Sequence, residues 1–130
     1  MANSRFKILI IEDEPGFRRT FVDLFRHHGH QVIEAADGEH GLSLALSEGP
    51  DVVLLDLIIP KLSGIEVLSR IKSDRQLRRT PVIIFSVLGE QTDIQLALQK
   101  GADDYIVKGF YSPAEVLNKI GSFLSEKKLT

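Results

Sequence analysis

Residues 52–60 read Val-Val-Leu-Leu-Asp-Leu-Ile-Ile-Pro, a run of branched apolar side chains interrupted by one ionisable acid, Asp56. Burying a lone carboxylate is costly unless it is paired, bound to a metal or neutralised by a raised pKa. The pattern on either side of the run shows how such a charge is used. Short β-branched runs recur at residues 6–11, 31–34, 82–85 and 104–107, and with 52–56 they make five strand candidates. Amphipathic segments separate them.

The first helical pattern carries Pro15 near its start, Phe17, Phe21, Leu24 and Phe25 on one face, and Gly29 just past its end. The second runs from Asp37 or Gly38 to Gly49, with Leu42, Ala45 and Leu46 on one face. The third opens on Ser63-Gly-Ile-Glu66 and the fifth on Ser112-Pro-Ala-Glu115, both matching a capping box. The fourth spans Glu90 to Lys100 and stops at Gly101, a left-handed cap. Strands alternating with helices imply parallel pairing through right-handed crossovers, with helices on both faces of the sheet. The expected fold is therefore α/β, an open, doubly wound, five-stranded parallel sheet. Ligands of such sheets bind beyond the carboxyl ends of the strands.

Composition sets bounds. At 130 residues, 43% hydrophobic and 26% charged, the chain suits one globular domain and offers no apolar stretch of bilayer-spanning length. The start, MANSRFKILI, lacks the features of a secretory signal, so a cytoplasmic location is expected. The absence of cysteine removes thiolate chemistry and cysteine-based metal sites. A net charge of -2 gives no reason to expect nucleic-acid binding. The basic cluster Arg70, Lys72, Arg75, Arg78 and Arg79 reads as a solvated helix end. His27, His28 and His30, beside Gly29, read as a solvated turn, since sequence neighbours seldom converge on one ion.

Glu12 and Asp13 emerge at the carboxyl end of the first strand and Asp56 at that of the third. On adjacent strands about 4.8 Å apart, three carboxyl groups converge and repel. A hard, oxygen-seeking divalent cation is the natural counter-ion, and magnesium fits it better than zinc. Asp56 thus belongs at the lip of the sheet rather than in the core. Glu12-Asp13-Glu14 before Pro15 also suits the positive end of a helix. Ser86 closes the fourth strand and Lys108 the fifth. A hydroxyl and an ammonium facing metal-binding carboxylates suit a dianionic oxyanion, and together describe phosphoryl transfer to a carboxylate.

At this point the chain resembles a response-regulator receiver domain, the phosphoacceptor module of two-component signalling. The resemblance is carried by Ile8-Leu-Ile-Ile-Glu-Asp-Glu-Pro15, Leu54-Leu-Asp-Leu-Ile-Ile-Pro60 with Gly64, Pro81-Val-Ile-Ile-Phe-Ser86 and Gly101-Ala-Asp-Asp-Tyr-Ile-Val-Lys108, and covers practically the whole chain. It implies a flavodoxin-like (βα)5 fold with strand order 2-1-3-4-5 and a single receiver domain over residues 1–130. It makes Asp56 the acceptor of a phosphoryl group from a sensor histidine kinase or histidine phosphotransfer protein. Mg2+ would be held by Asp13, by Glu12 through water, by Asp56 and by the backbone carbonyl of Ile58. Lys108 would pair with the phosphoryl oxygens, the Ser86 hydroxyl would turn in to meet one, and Tyr105 would be the switch aromatic. The output would be a changed α4-β5-α5 surface that binds an effector or output domain, or dimerises. The chain would be no enzyme beyond its own phosphorylation and dephosphorylation.

The sequence also departs from the family pattern. Gly109 stands where proline usually follows the lysine, so the Lys108–Gly109 peptide is expected to be trans, or Lys108 to be held less firmly. Val87 follows Ser86 where a small residue is usual, implying a narrower approach to Asp56 and a tighter inward seat for Tyr105. Apolar Ile58 and Leu88 imply less water at an acyl phosphate and a longer-lived phosphorylated state. The rival reading is a receiver-like interaction module that works without phosphorylation. A phosphohydrolase would need an Asp-x-Asp loop that Glu12-Asp13-Glu14 does not supply, and the acidic first loop does not suit a flavin phosphate. With no residues left for an output domain, the chain is expected to be a stand-alone regulator or a fragment of a longer one.

Overall fold

The strands, β1 (Lys7–Ile11), β2 (Gln31–Ala35), β3 (Val52–Leu55), β4 (Val82–Ser86) and β5 (Asp104–Val107), pair in parallel in the order β2-β1-β3-β4-β5. They belong to a computed structural model that describes residues 5–129, with side chains described through Ser125. Between the strands lie α1 (Pro15–His27), α2 (Gly38–Glu48), α3 (Gly64–Ser73) and α4 (Gln91–Gln99), with α5 (Pro113–Leu129) last. This is the doubly wound sheet that the alternating pattern implies, with the flavodoxin-like strand order that the resemblance implies.

Period-two alternation splits each central strand between two cores. Ile8, Ile10, Val52, Leu54, Ile83, Phe85 and Ile106 face α1 and α5, where Phe21, Phe25, Val116 and Ile120 meet them. Leu9, Ile11, Val53, Leu55, Val82 and Ile84 face α2, α3 and α4, against Ala45, Val67, Leu68, Ile71 and Ala97. Each fully buried large aliphatic contributes about 2 kcal/mol. Both faces of β1 and β3 are therefore sealed, and the polar ends of these strands become rigid.

Element boundaries move by a residue from the sequence expectation. Phe6 lies outside β1, because its N–H goes to His30 Nδ1 at 3.1 Å rather than into the ladder. β2 extends to Ala35 and β4 to Ser86, whereas β3 stops at Leu55 and leaves Asp56 in the loop. The capping box of α5 is complete: Ser112 Oγ accepts from Glu115 N at 3.2 Å, and Glu115 Oε1 accepts from Ser112 N at 2.8 Å. That of α3 is half made. Ser63 Oγ accepts from Glu66 N at 3.3 Å, while the Glu66 carboxylate turns to Arg70, 3.0 Å away.

Lys72 also departs from its expected solvated place. Its side chain is only 16% exposed, and its ammonium donates to Thr80 O and Asp103 Oδ2, both at 2.8 Å. Asp103 Oδ2 in turn accepts from Val82 N at 2.8 Å, so this ion pair ties the end of α3 to the starts of β4 and β5. Arg70, Arg75, Arg78 and Arg79 are exposed, as expected.

Gly64 places α3 against the loop that carries Asp56. A Cβ there would lie 2.4 Å from Asp56 O and 2.5 Å from Leu57 Cα, both backbone atoms that cannot rotate away. Gly64→Ala is expected to lower the unfolding free energy by about 3 kcal/mol, read from urea midpoints at constant slope; an unchanged midpoint would show that this close approach is not needed.

Candidate functional site

Register brings the polar strand ends together. Ile11 pairs with Leu55, so Glu12 and Asp56 leave adjacent strands side by side. The ladder continues into the loops through Glu12 N to Ala35 O at 3.0 Å and Asp56 N to Ile11 O at 3.1 Å. Glu12 is 4% and Asp56 5% exposed. Asp13 is exposed, yet one carboxylate oxygen from each of Glu12, Asp13 and Asp56 lies within 4.8 Å of the others. Glu14 has a different job: its carboxylate caps α1, accepting the N–H groups of Gly16 and Phe17.

Lys108 follows β5 and reaches across the sheet end. Its ammonium, with the side chain 11% exposed, lies 2.6 Å from Glu12 Oε1 and 2.8 Å from Asp56 Oδ2. At an effective dielectric near 20, two carboxylates about 5 Å apart repel by about 3 kcal/mol, while each close contact to one ammonium attracts by about 6 kcal/mol. The ammonium therefore decides whether the two acids can share the site. Asp13 remains outside this pairing, so three carboxylates face one ammonium.

The remaining carboxylate oxygens are also held. Asp56 Oδ1 accepts from Ile58 N at 3.1 Å and Glu12 Oε2 from Glu14 N at 3.1 Å. Burial raises the Glu12 pKa from its ordinary value, opposed by the hydrogen bonds from Lys108 and Glu14 and reinforced by the Asp56 charge. Burial pulls the Lys108 pKa down, but hydrogen bonds to Asp56 and Glu12 outweigh it, and the net shift is upward. The Lys108–Gly109 peptide is trans, one of the two alternatives left by the missing proline. The other alternative, a loosely held lysine, is not what the structure has.

Ser86 and Tyr105 converge on one residue of the β4–α4 loop. The Leu88 N–H donates to Ser86 Oγ at 3.2 Å, and the Tyr105 hydroxyl donates to Leu88 O. Ser86 is fully buried. Leu88 and Tyr105 both pack against the core facing α2, α3 and α4, whereas Val87 is 62% exposed. In this arrangement Tyr105 is bonded to Leu88, while Val87 lies at the exposed face. Ile58, 51% exposed, lies with Val87 on the solvent side.

Several contributing residues were not singled out in the sequence. Phe17 read only as an apolar helix position, yet the Lys108 ammonium sits over its ring, 4.3 Å from the centroid. Arg18 Nη1 donates to Glu12 O at 2.7 Å while its Nε pairs with Glu34 at 2.9 Å, fixing the acidic turn to β2. The signal for Phe17 lay in its place two residues after Pro15, on the first turn after the acidic loop. The histidines form no metal cluster among the described residues. His28 Nδ1 contacts Leu24 O at 3.0 Å, and the His30 pKa is lowered by burial and by the His28 and Arg5 charges.

A family model described as the response regulator receiver domain matches residues 8–121. The chain belongs to that family. This receiver resembles the probable transcriptional regulator ycf27 of Guillardia theta, with 40% identity over 118 residues, 91% of this chain and 45% of the relative. The chain spans about half the length of the curated relatives it matches. Among solved structures, the receiver domain of the Pseudomonas aeruginosa sensor histidine kinase PA1611 aligns with a TM-score of 0.85 at 27% identity, covering 94% of this chain and 99% of that one. That structure has a magnesium ion coordinated in its active-site cleft. The CheX-CheY-BeF3-Mg complex of Borrelia burgdorferi aligns with a TM-score of 0.83 at 32% identity, covering 91% of this receiver and 88% of its counterpart. Receiver domains of two-component regulators bind Mg2+ at an acidic cluster, and the Glu12, Asp13 and Asp56 group of this receiver is compatible with it.

Removing the ammonium leaves two buried acids uncompensated. Lys108→Met is expected to lower the unfolding free energy by about 3 kcal/mol, and Lys108→Met/Asp56→Asn to recover most of that loss, measured by urea unfolding in metal-free buffer. Equal stability of all three proteins would contradict the pairing.

Proposed function

We propose that this chain is a phosphorylation-dependent switch in which Asp56 accepts a phosphoryl group. The observation that carries the reading is the Lys108 bridge between Asp56 and Glu12, with Asp13 within 4.8 Å of both acids. Asp13, Glu12 and Asp56 would hold Mg2+, with the backbone carbonyl of Ile58 as a further ligand. Three hard oxygen donors, one of them exposed, suit an ion that retains several waters. When bound, Mg2+ would supply positive charge next to the transferring phosphoryl oxygens.

The donor is a phosphohistidine on a sensor kinase or phosphotransfer protein. An Asp56 carboxylate oxygen bonds to phosphorus as the phosphorus–nitrogen bond breaks, and the imidazole leaves and takes up a proton. Lys108, already beside Asp56 Oδ2, stays paired with the new phosphoryl oxygens. Water later attacks phosphorus, releases phosphate and restores the Asp56 carboxylate. The chemistry of the chain is confined to these two events on its own side chain.

Switching begins when the Ser86 hydroxyl turns to a phosphoryl oxygen and gives up the Leu88 N–H. Tyr105, bonded to the carbonyl of Leu88, is thereby linked to the same loop. A phosphoryl group brings about -1.5 to -2 charge, enough to bias two packings that differ by a few kcal/mol. The altered surface comprises α4, β5 and α5 and engages an effector, an output domain or a second copy. Residues 1–130 act as one receiver domain, in the cytoplasm. No described helix is long and apolar enough to cross a membrane.

Intact-mass analysis after incubation with Mg2+ and acetyl phosphate tests the reading. Wild type is expected to gain the mass of one phosphoryl group, and Asp56→Asn none. Unmodified wild type, or equal modification of both proteins, would reject it.

A further inference from the structure

We propose that Phe17 is a positioning residue for Lys108, its ring holding the ammonium in line with Asp56 through every stage of the phosphorylation cycle. The inference rests on the reading of Asp56 as phosphoacceptor and extends it to a residue on α1. The Lys108 ammonium lies 4.3 Å from the Phe17 centroid and 5.8 Å from that of Phe85. The two rings support one another, with centroids 5.2 Å apart, and Phe21 packs on both at 5.1 and 4.9 Å. Phe17 is therefore held by the core while it presents its face to a cation.

Desolvation strengthens such a contact. The Lys108 side chain is 11% exposed, so its ammonium meets the ring largely out of water. The backbone at Lys108 is held by its own N–H, which donates to Ser86 O at 2.8 Å, and by the turn that Phe110 N–H closes on Val107 O at 3.3 Å, whereas the ammonium at the end of the long side chain is held only by Glu12, Asp56 and the ring faces. Phosphorylation replaces the Asp56 carboxylate that Lys108 now meets with a larger, more highly charged group, whereas the ring face stays as it is.

Phe17→Leu keeps apolar bulk and removes the π face, whereas Phe17→Tyr keeps the face. In the wild-type chain the Lys108 ε-methylene protons, assigned by their loss in Lys108→Met, are expected to show an upfield ring-current shift. The shift should fall to the smaller contribution of the more distant Phe85 ring in Phe17→Leu and persist in full in Phe17→Tyr. The initial rate of Asp56 phosphorylation by acetyl phosphate with Mg2+ should fall about tenfold in Phe17→Leu, equivalent to about 1.4 kcal/mol, and return to within about twofold of wild type in Phe17→Tyr. Circular dichroism and urea midpoints establish that both variants fold. A wild-type rate in Phe17→Leu, or equal slowing in Leu and Tyr variants, would overturn the proposal, and so would the absence of the upfield shift in wild type. Failure of wild type to take up phosphate would instead reject the phosphoacceptor reading, and the methylene shift would then decide the role of Phe17 by itself.

Discussion

The ammonium of Lys108, set between Glu12 and Asp56, is the contact on which the site depends. Parallel pairing of β1 with β3 fixes where these two acids emerge, and cores on both sheet faces prevent either strand end from moving away. Like charges so placed cannot separate to relieve their repulsion. They require a cation that arrives from β5, the far edge of the sheet, reached by one long side chain. Fold and site are thus one problem: the same crossovers that bury the hydrophobic strands deliver the lysine to the acids.

Next to this contact the Lys108 N–H donates to Ser86 O at 2.8 Å, and Ser86 borders the β4–α4 loop. Ser86 and Tyr105 belong to neighbouring strands, yet both bond to Leu88, one at its N–H and the other at its carbonyl. A loop held by two side chains is well suited to having two arrangements, because release of one bond changes what the other restrains. Burial and the Asp93 charge raise the Tyr105 pKa, against a lowering hydrogen bond with Ser86, and the Asp56 charge adds the smallest upward push.

Much of this was legible in the residue order. The strand and helix alternation, the capping residues Ser63 and Ser112 and the terminal glycines located the five strands and the helix ends they mark to within a residue or so, because apolar periodicity and local capping are short-range effects. Asp56, Glu12, Asp13, Ser86 and Lys108 could be placed at one sheet edge from strand ends alone. Side-chain partnerships across the fold were not legible. Glu66 chose Arg70 over the Ser63 backbone, Lys72 turned inward to Asp103, and Phe17 combined core packing with a cation contact. Each of these depends on which rotamer reaches which neighbour, and periodicity carries no such information. Val87 illustrates the same limit: its bulk was evident from sequence, but its outward direction was not.

The central claim, that acids from β1 and β3 form one divalent-cation site, is tested most directly by adding substoichiometric Mn2+ and following paramagnetic broadening of backbone amide signals. The account predicts that the amides of Glu12, Asp13, Asp56 and Ile58 broaden first, that excess Mg2+ restores them, and that Asp13→Ala weakens the effect. Sharp signals at these four residues while others broaden, or broadening spread evenly over the acidic surface, would contradict it.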